Sequence, residues 1–259
     1  MPAKTRARAA KGTAVPMTLA EVMAALEKAG SDQTRKTYVR HGATGPIFGV
    51  SFAVLKTLMS RIGVDHELAL ALWDTGNFDA RNLAVKVVDP ARMSSRDLDR
   101  WAKDARARMV AGYVGQLAAE GPHAAAKAKA WLASPDDPVR CTGWSLVGAL
   151  AMRDEATADA WFAERLAAIE RTMHAAANAE REAMNSALIA IGCRNAALRK
   201  AALAAAKRIG KVEVDHGDTA CKTPDAAQSI AKAWAHSTAK GFASPAAHER
   251  TRESPRCRC

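Results

Sequence analysis

Two amphipathic helical patterns follow each other within residues 49–90, and this succession constrains the fold more than any other feature of the chain. The first carries apolar residues at helical spacing and stops at Gly63, a residue suited to a helix C-terminus. Asp65 is placed to cap the second, which ends after Trp73, and a third begins at Phe78. Short amphipathic helices must bury their apolar faces against one another, so the pattern predicts helices that pair and stack side by side.

Similar patterns continue along most of the chain, with roughly two helices in every 35–45 residues, as in HEAT and armadillo repeats. We therefore predict an all-α, HEAT-like helical-repeat solenoid, in which paired antiparallel helices form a C-shaped superhelix. An ordinary helical bundle stays open as an alternative. The predicted organisation is a disordered basic arm (1–16), the solenoid (17–235) and a flexible basic tail (236–259).

The composition supports helices and a polyanionic partner. Alanine supplies much of the 49% hydrophobic content, aromatic residues make up 5%, and the formal net charge is +11. Part of this charge lies at the two ends of the chain: Lys4, Arg6, Arg8, Lys11, Arg250, Arg252, Arg256 and Arg258. Nucleic acid is the commonest partner of such a protein, so we predict DNA binding.

Several classes of protein are disfavoured by what the sequence lacks. No apolar run approaches a membrane span, and the basic N-terminus has no apolar core of a secretory signal, although a transit peptide stays an alternative. Five scattered cysteines do not form a disulfide framework, which favours the cytoplasm. A polar loop holds residues that could ligate a metal, but without a regular metal signature: Asp215, His216, Asp218 and Cys221. We predict no metal, no cofactor and no membrane partner.

Four phrases carry a resemblance to a known family. They are YVRHGATGPIFGVSF (38–52), DHELALALWDTGNFDARNLAVKVVDP (65–90), LDRWAKD (98–104), and REAMNSALIAIG (181–192) followed by KRIGKVEVDHGDTACKTPDA (207–226). The chain resembles the DNA alkylation repair (AlkD-like) family of HEAT-like-repeat proteins, and the last phrase is similar to a divergent branch of it. This resemblance implies a solenoid that binds duplex DNA, with active members that excise cationic alkylated purines such as 3-methyladenine and 7-methylguanine.

The family's chemistry implies three kinds of side chain: a carboxylate that stabilises an oxocarbenium ion, a tryptophan face for the cationic base, and an arginine for phosphate. In this sequence Met109 stands where the resemblance implies the tryptophan, and Tyr113 stands where it implies the aspartate. Where the resemblance implies an Arg-Arg pair, this sequence has Arg140 followed by Cys141. Where it implies a later tryptophan, this sequence has Asn185 or Ser186. A tyrosine phenol stays neutral at pH 7 and cannot replace a carboxylate.

The sequence thus assigns no catalytic residue, and it leaves the glycosylase activity uncertain. Candidate DNA contacts are Arg81, Lys86, Arg108, Arg140, Trp144, Arg181 and Arg194. The predicted function is binding of double-stranded DNA by a monomer, with glycosylase activity on alkylpurines as the function that the family implies. The alternatives are a catalytically silent binder of DNA structure and a protein–protein scaffold.

Overall fold

The computed structural model describes residues 16–258, which contain fourteen α-helices and no strand. The arm predicted for 1–16 therefore lies, apart from Pro16, outside the described residues. The helices of the N-terminal half are α1 (Leu19–Ala29), α2 (Asp32–Arg40), α3 (Phe52–Ile62), α4 (His66–Asp74), α5 (Phe78–Val87), α6 (Ser95–Asp104) and α7 (Arg108–Ala119). Those of the C-terminal half are α8 (Ala124–Leu132), α9 (Asp137–Arg153), α10 (Asp159–Thr172), α11 (Asn178–Gly192), α12 (Ala196–Ile209), α13 (Ala226–Ala239) and α14 (Pro245–Arg250). Two 3-10 turns cover Pro90–Arg92 and Pro255–Cys257.

The helices form two rows, which confirms the predicted all-α, HEAT-like solenoid. Helices α5, α7, α9, α11 and α13 follow one another as an inner row, each packed on the next. Each inner helix also packs on the helix that precedes it in the chain, which gives an outer row of α4, α6, α8, α10 and α12. A single hydrophobic core runs between the rows along the molecule.

Most helix ends follow the local signals in the sequence, with two departures. Gly63 ends α3 with a positive φ, and the Asp65 carboxylate accepts the backbone N–H of Leu68 at 3.0 Å. The pattern at 105–119, however, predicts a helix from 105, whereas α7 begins at Arg108. Thr223, followed by Pro224, is the cap that the sequence predicts for the next helix, but α13 is capped by Asp225, and the Thr223 hydroxyl contacts other residues of the preceding loop.

A buried carboxylate fixes the segment before α3. Asp79, fully buried on α5, accepts the backbone N–H groups of Phe48 (2.7 Å), Gly49 (3.1 Å) and Val50 (2.8 Å). Gly49 has a φ of +82°, and a Cβ there would lie 2.4 Å from the carbonyl oxygen of Ser31. This arrangement explains the residues of two family phrases through packing alone.

The C-terminal segment differs from the flexible tail that the sequence predicts from residue 236. Helix α13 continues to Ala239, and α14 packs on α13 and α9. The 3-10 turn Pro255–Cys257 then packs on α7 and α5, so the segment runs back over the inner row. Its order comes from contacts with residues far away in sequence, described below, which composition does not reveal.

Candidate nucleic-acid interface

An open cavity of about 800 Å³ lies on the inner row, and we call it the inner cavity. Its walls come from α2, α7, α9, α11 and the C-terminal segment, and they include Tyr38, Met109, Tyr113, Trp144, Ser186 and Glu249. Helices α7 and α9 cross closely beneath it because Gly115 has no side chain; a Cβ there would lie 2.8 Å from the backbone nitrogen of Leu146. Met109, Tyr113 and Ser186 thus line one cavity. Ser186 is one of the two residues at which the resemblance implies the later tryptophan; the other, Asn185, is buried and does not line this cavity.

Tyr113 stands over a buried cation. The ammonium of Lys86, which is 3% exposed, lies 4.3 Å from the centre of the Tyr113 ring and donates a hydrogen bond to the carbonyl of Arg256 at 2.7 Å. The negative face of the ring stabilises this charge. At the position where the resemblance implies a carboxylate, the structure thus has a phenol ring packed on the Lys86 side chain.

The two carboxylates that line the inner cavity are both ion-paired. Glu182 pairs with Arg108 of α7, and its oxygen lies 3.9 Å from Nδ1 of His216. Glu249 is 9% exposed, and three guanidinium groups lie within 4 Å of its oxygens: Arg153 at 3.4 Å, Arg252 at 3.6 Å and Arg258 at 2.5 Å. A carboxylate surrounded in this way is poorly placed to stabilise a second, transient cation.

Arg140 and Trp144 belong to a polar network that joins α9 to α11. The buried Glu180 accepts Nε of Arg140 at 3.0 Å and Nε1 of Trp144 at 3.2 Å. Burial lowers the pKa of the Arg140 guanidinium, but Glu180 and Asp137 outweigh burial and raise this pKa above its usual value. Arg140 is thus a cation paired with protein carboxylates, and Trp144, which is buried, forms part of the wall of the inner cavity.

Cys141, the residue after Arg140, offers neither a cation nor a thiolate. Burial, followed by the charges of Glu180 and Asp137, raises the pKa of its thiol to about 12. Burial likewise raises the pKa of Cys193 to about 11. Both thiols stay protonated at neutral pH, which disfavours nucleophilic chemistry by either of them.

Three other residues predicted as DNA contacts bind partners within the protein: Arg194, Arg181 and Arg81. Arg194 is 6% exposed, and its guanidinium donates to carbonyls at and beyond the end of α9, including Thr157 at 2.8 Å. Arg181 donates to the carbonyls of Glu213 (2.7 Å) and Ala176 (3.0 Å). A phosphate contact by either arginine would require these bonds to break.

Arg81 belongs to a cluster between α4 and α6. It lies 5.0 Å from the ring centre of Trp73, which stacks on Trp101 at 4.1 Å. Asp104 accepts Nε1 of Trp73 at 3.1 Å and pairs with Arg81 at 3.5 Å. Asp104 is therefore committed to this cluster and is not a substitute for the carboxylate implied at position 113.

Of the seven predicted DNA contacts, only Arg108 and Trp144 line the inner cavity. Lys86 lies behind Tyr113, and Arg140 lies behind Trp144, so each supports a cavity residue. Sequence reasoning missed Arg153, Arg252, Arg258 and Glu249. The arginine-rich C-terminus was the available signal, but nothing local indicated that this segment would return to the inner row.

The polar loop 210–225 is held by hydrogen bonds of its own residues and to α11. Asn178 donates to the carbonyl of Asp215 at 2.7 Å, and Nε2 of His216 lies 3.1 Å from the Thr223 hydroxyl. Within residues 16–258, no group of three or more His, Cys, Asp and Glu side chains has the arrangement of a metal site. In the same range no helix is long and apolar enough to cross a membrane.

Comparisons with known proteins agree with this architecture. A solved structure described as "a new family of proteins related to the HEAT-like repeat DNA glycosylases with affinity for branched DNA structures" is 31% identical, with a TM-score of 0.77, over 88% of this chain and 96% of that chain. The uncharacterized proteins Lmo0209 of Listeria monocytogenes and Lin0241 of Listeria innocua are each 27% identical over 216 residues, which cover 80% of this chain and 93% of theirs. The sequence model of the family described as DNA alkylation repair enzyme matches residues 22–230, so the chain belongs to that family.

Proposed function

We propose that this protein binds DNA on its inner row, prefers branched DNA to plain duplex, and does not excise alkylated bases. The observation that carries the proposal is the pair Tyr113 and Lys86. A phenol packed on the buried Lys86 takes the place at which an excising relative would need a carboxylate. Position 113 therefore offers no carboxylate to stabilise a developing oxocarbenium ion.

The charge of the chain supports binding to DNA. The four Lys and Arg residues within 1–15 supply +4 of the formal +11, which leaves +7 on residues 16–258. Loss of phosphate counterions drives the association of such a surface with nucleic acid. The preference for branched DNA is supported by the affinity of the 31% identical relative for branched structures.

Within the proposal, Arg108 is the first phosphate contact. Its side chain is 53% exposed at the rim of the inner cavity, with Glu182 as its carboxylate partner. Trp144 is 6% exposed and forms part of the wall of the same cavity, beside which an unpaired base at a branch point could lie. Arg140 holds Glu180 and thereby Trp144, so Arg140→Ala is expected to weaken DNA binding through this support.

Binding and excision assays on the same preparation test the proposal. We expect tighter binding to a four-way junction than to a duplex of equal length, with an affinity that falls steeply as KCl is raised. We expect no release of 7-methylguanine or 3-methyladenine from methylated duplex above the enzyme-free rate of depurination. Release above that rate would overturn the silent site and establish a glycosylase, which is the activity the family implies.

A protein–protein scaffold is the rival from another class. It predicts weak binding to DNA that does not distinguish a junction from a duplex. Affinity that does not respond to KCl would therefore count in favour of the scaffold, whereas equal and salt-dependent affinity for both forms would overturn only the preference for branched DNA.

A further inference from the structure

The C-terminal segment crosses the ends of three inner helices. Arg256, which is 5% exposed, donates to the carbonyls of Val85 (2.6 Å) and Lys86 (3.3 Å) in the last turn of α5. Its Nε also pairs at 2.8 Å with Glu120, the residue that caps α7. At the end of α9, Arg153 donates to the carbonyls of Glu249 (3.1 Å) and Arg252 (3.3 Å). The segment thus runs along the edge at which α5, α7 and α9 end.

Without the C-terminal segment, this edge would carry negative charge and repel DNA. The C-terminal ends of α-helices carry partial negative charge, and Glu120 adds a full charge at the end of α7. Arg256 neutralises the carbonyls of α5 and the carboxylate of Glu120. The net charge of this edge therefore depends on the other arginines that lie along it.

Three arginines at this edge lie close to one carboxylate. Among the residues that the structure describes, the guanidinium groups of Arg153, Arg252 and Arg258 surround the one carboxylate of Glu249, so three positive charges face one negative charge at the wall of the inner cavity. Arg252 is 53% exposed and Arg258 is 29% exposed, so both have N–H groups directed to solvent. Glu249 restricts the guanidinium groups, which lowers the entropy cost of binding an anion.

We propose that the Arg153–Arg252–Arg258 cluster is a phosphate-binding site for the DNA backbone and that the C-terminal segment forms one rim of the DNA interface. This inference rests on the proposed function. The chemistry favours a DNA contact over a cover that blocks the cavity, because a segment that takes the place of DNA would need to be acidic. Residues 250–258 contain four arginines and one glutamate.

The test compares Arg252→Gln/Arg258→Gln with a control that loses the same charge elsewhere. The control is Arg92→Gln/Arg208→Gln, since Arg92 and Arg208 are more than half exposed, each has one carboxylate partner, and neither lines the inner cavity. Binding to a fluorescent four-way junction is measured across a series of KCl concentrations. We expect the cluster variant to bind roughly 5–20-fold more weakly, with a salt slope shallower by about 1–2, and the control to stay within about 2-fold.

Two further variants keep the test decisive. Arg252→Lys/Arg258→Lys retains both charges, so it should keep most of the salt slope while losing part of the affinity. Arg252→Gln alone perturbs the fold least, because its guanidinium lies 3.6 Å from Glu249 and is largely exposed. Circular dichroism of each variant checks that the helices are intact.

The outcomes separate this inference from the proposed function. If the unmodified protein shows salt-dependent binding but the glutamine variants keep its slope and affinity, the rim is not part of the interface. Tighter binding by the glutamine variants would show that the segment obstructs DNA, which also overturns the inference. Absence of salt-dependent binding by the unmodified protein would overturn the proposed function, and the inference with it.

Discussion

Two parts of the solenoid differ in what their family-like residues do. Around α4, α5 and α6, the residues of the most specific phrases hold backbone and rings together: Asp79 accepts three backbone N–H groups, and Trp73 stacks on Trp101. Around α7, α9 and α11, the positions at which the family implies chemistry hold Met109, Tyr113 and Ser186, which line the inner cavity.

The residues that determine the fold of the family are therefore not the residues that would determine an activity. Asp79 and Trp73 are fixed by packing, and substitution there breaks the solenoid whatever it binds. Tyr113 is half-buried at the wall of an open cavity, where a change of residue alters chemistry more than folding. A chain can therefore keep the fold of its family and lose a reaction by substitutions on a few cavity residues.

The largest effect is expected from Asp79→Ala. This change leaves three backbone N–H groups without their acceptor in a fully buried place, so the free energy of unfolding should fall by about 4 kcal/mol. Urea unfolding followed by circular dichroism measures it. Asp74→Ala is the control, because the Asp74 carboxylate is 55% exposed and forms only a surface ion pair, and it should cost less than about 1 kcal/mol. Equal losses in the two variants would contradict the structural role given to Asp79.

Arg108→Gln should have the opposite profile. Because this arginine is exposed at the cavity rim, we expect junction binding to weaken by roughly 3–10-fold, while the free energy of unfolding changes by less than about 1 kcal/mol. Fluorescence anisotropy and urea unfolding measure the two quantities. Arg92→Gln removes the same charge from a site away from the cavity and should leave binding nearly unchanged. If both variants bind alike, net charge and not the inner cavity determines DNA affinity.

Local helix signals were easier to predict from the sequence than contacts between distant residues. The caps of α3 and α4 and the pairing of helices follow from local patterns, because Gly63 and Asp65 act within one turn of the chain. The roles of Arg194 and Arg256 depend on partners that are about 35–44 and 136–171 residues away. The position of a basic residue on a predicted helix does not show whether its side chain contacts solvent or a distant helix end, so the roles of these arginines were harder to predict than the fold.

Tyr113→Asp tests whether one residue separates this cavity from an excising one. Met109 would still stand where the resemblance implies a tryptophan face for the cationic base, so a carboxylate at position 113 alone does not rebuild the site. We expect no release of 7-methylguanine above the enzyme-free rate and a loss of about 1 kcal/mol in the free energy of unfolding, because the ring contact with Lys86 is lost. Tyr113→Phe, which keeps the ring over Lys86, is the control for stability. Base release by the aspartate variant would show that residue 113 alone separates this cavity from an excising one.

The smallest expected effect concerns alkaline pH. Burial raises the pKa of the Cys141 thiol to about 12, against 9.0 for an exposed thiol. A raised folded-state pKa contributes stability below pH 9 that is lost as pH rises from 9 towards 12. Cys141→Ala should therefore remove roughly 1 kcal/mol of the fall in stability between pH 8 and pH 10, measured by urea unfolding in the presence of reductant. Cys221→Ala is the control, since Cys221 is exposed. If Cys141→Ala loses stability with rising pH as steeply as Cys221→Ala, burial on α9 does not keep the Cys141 thiol protonated.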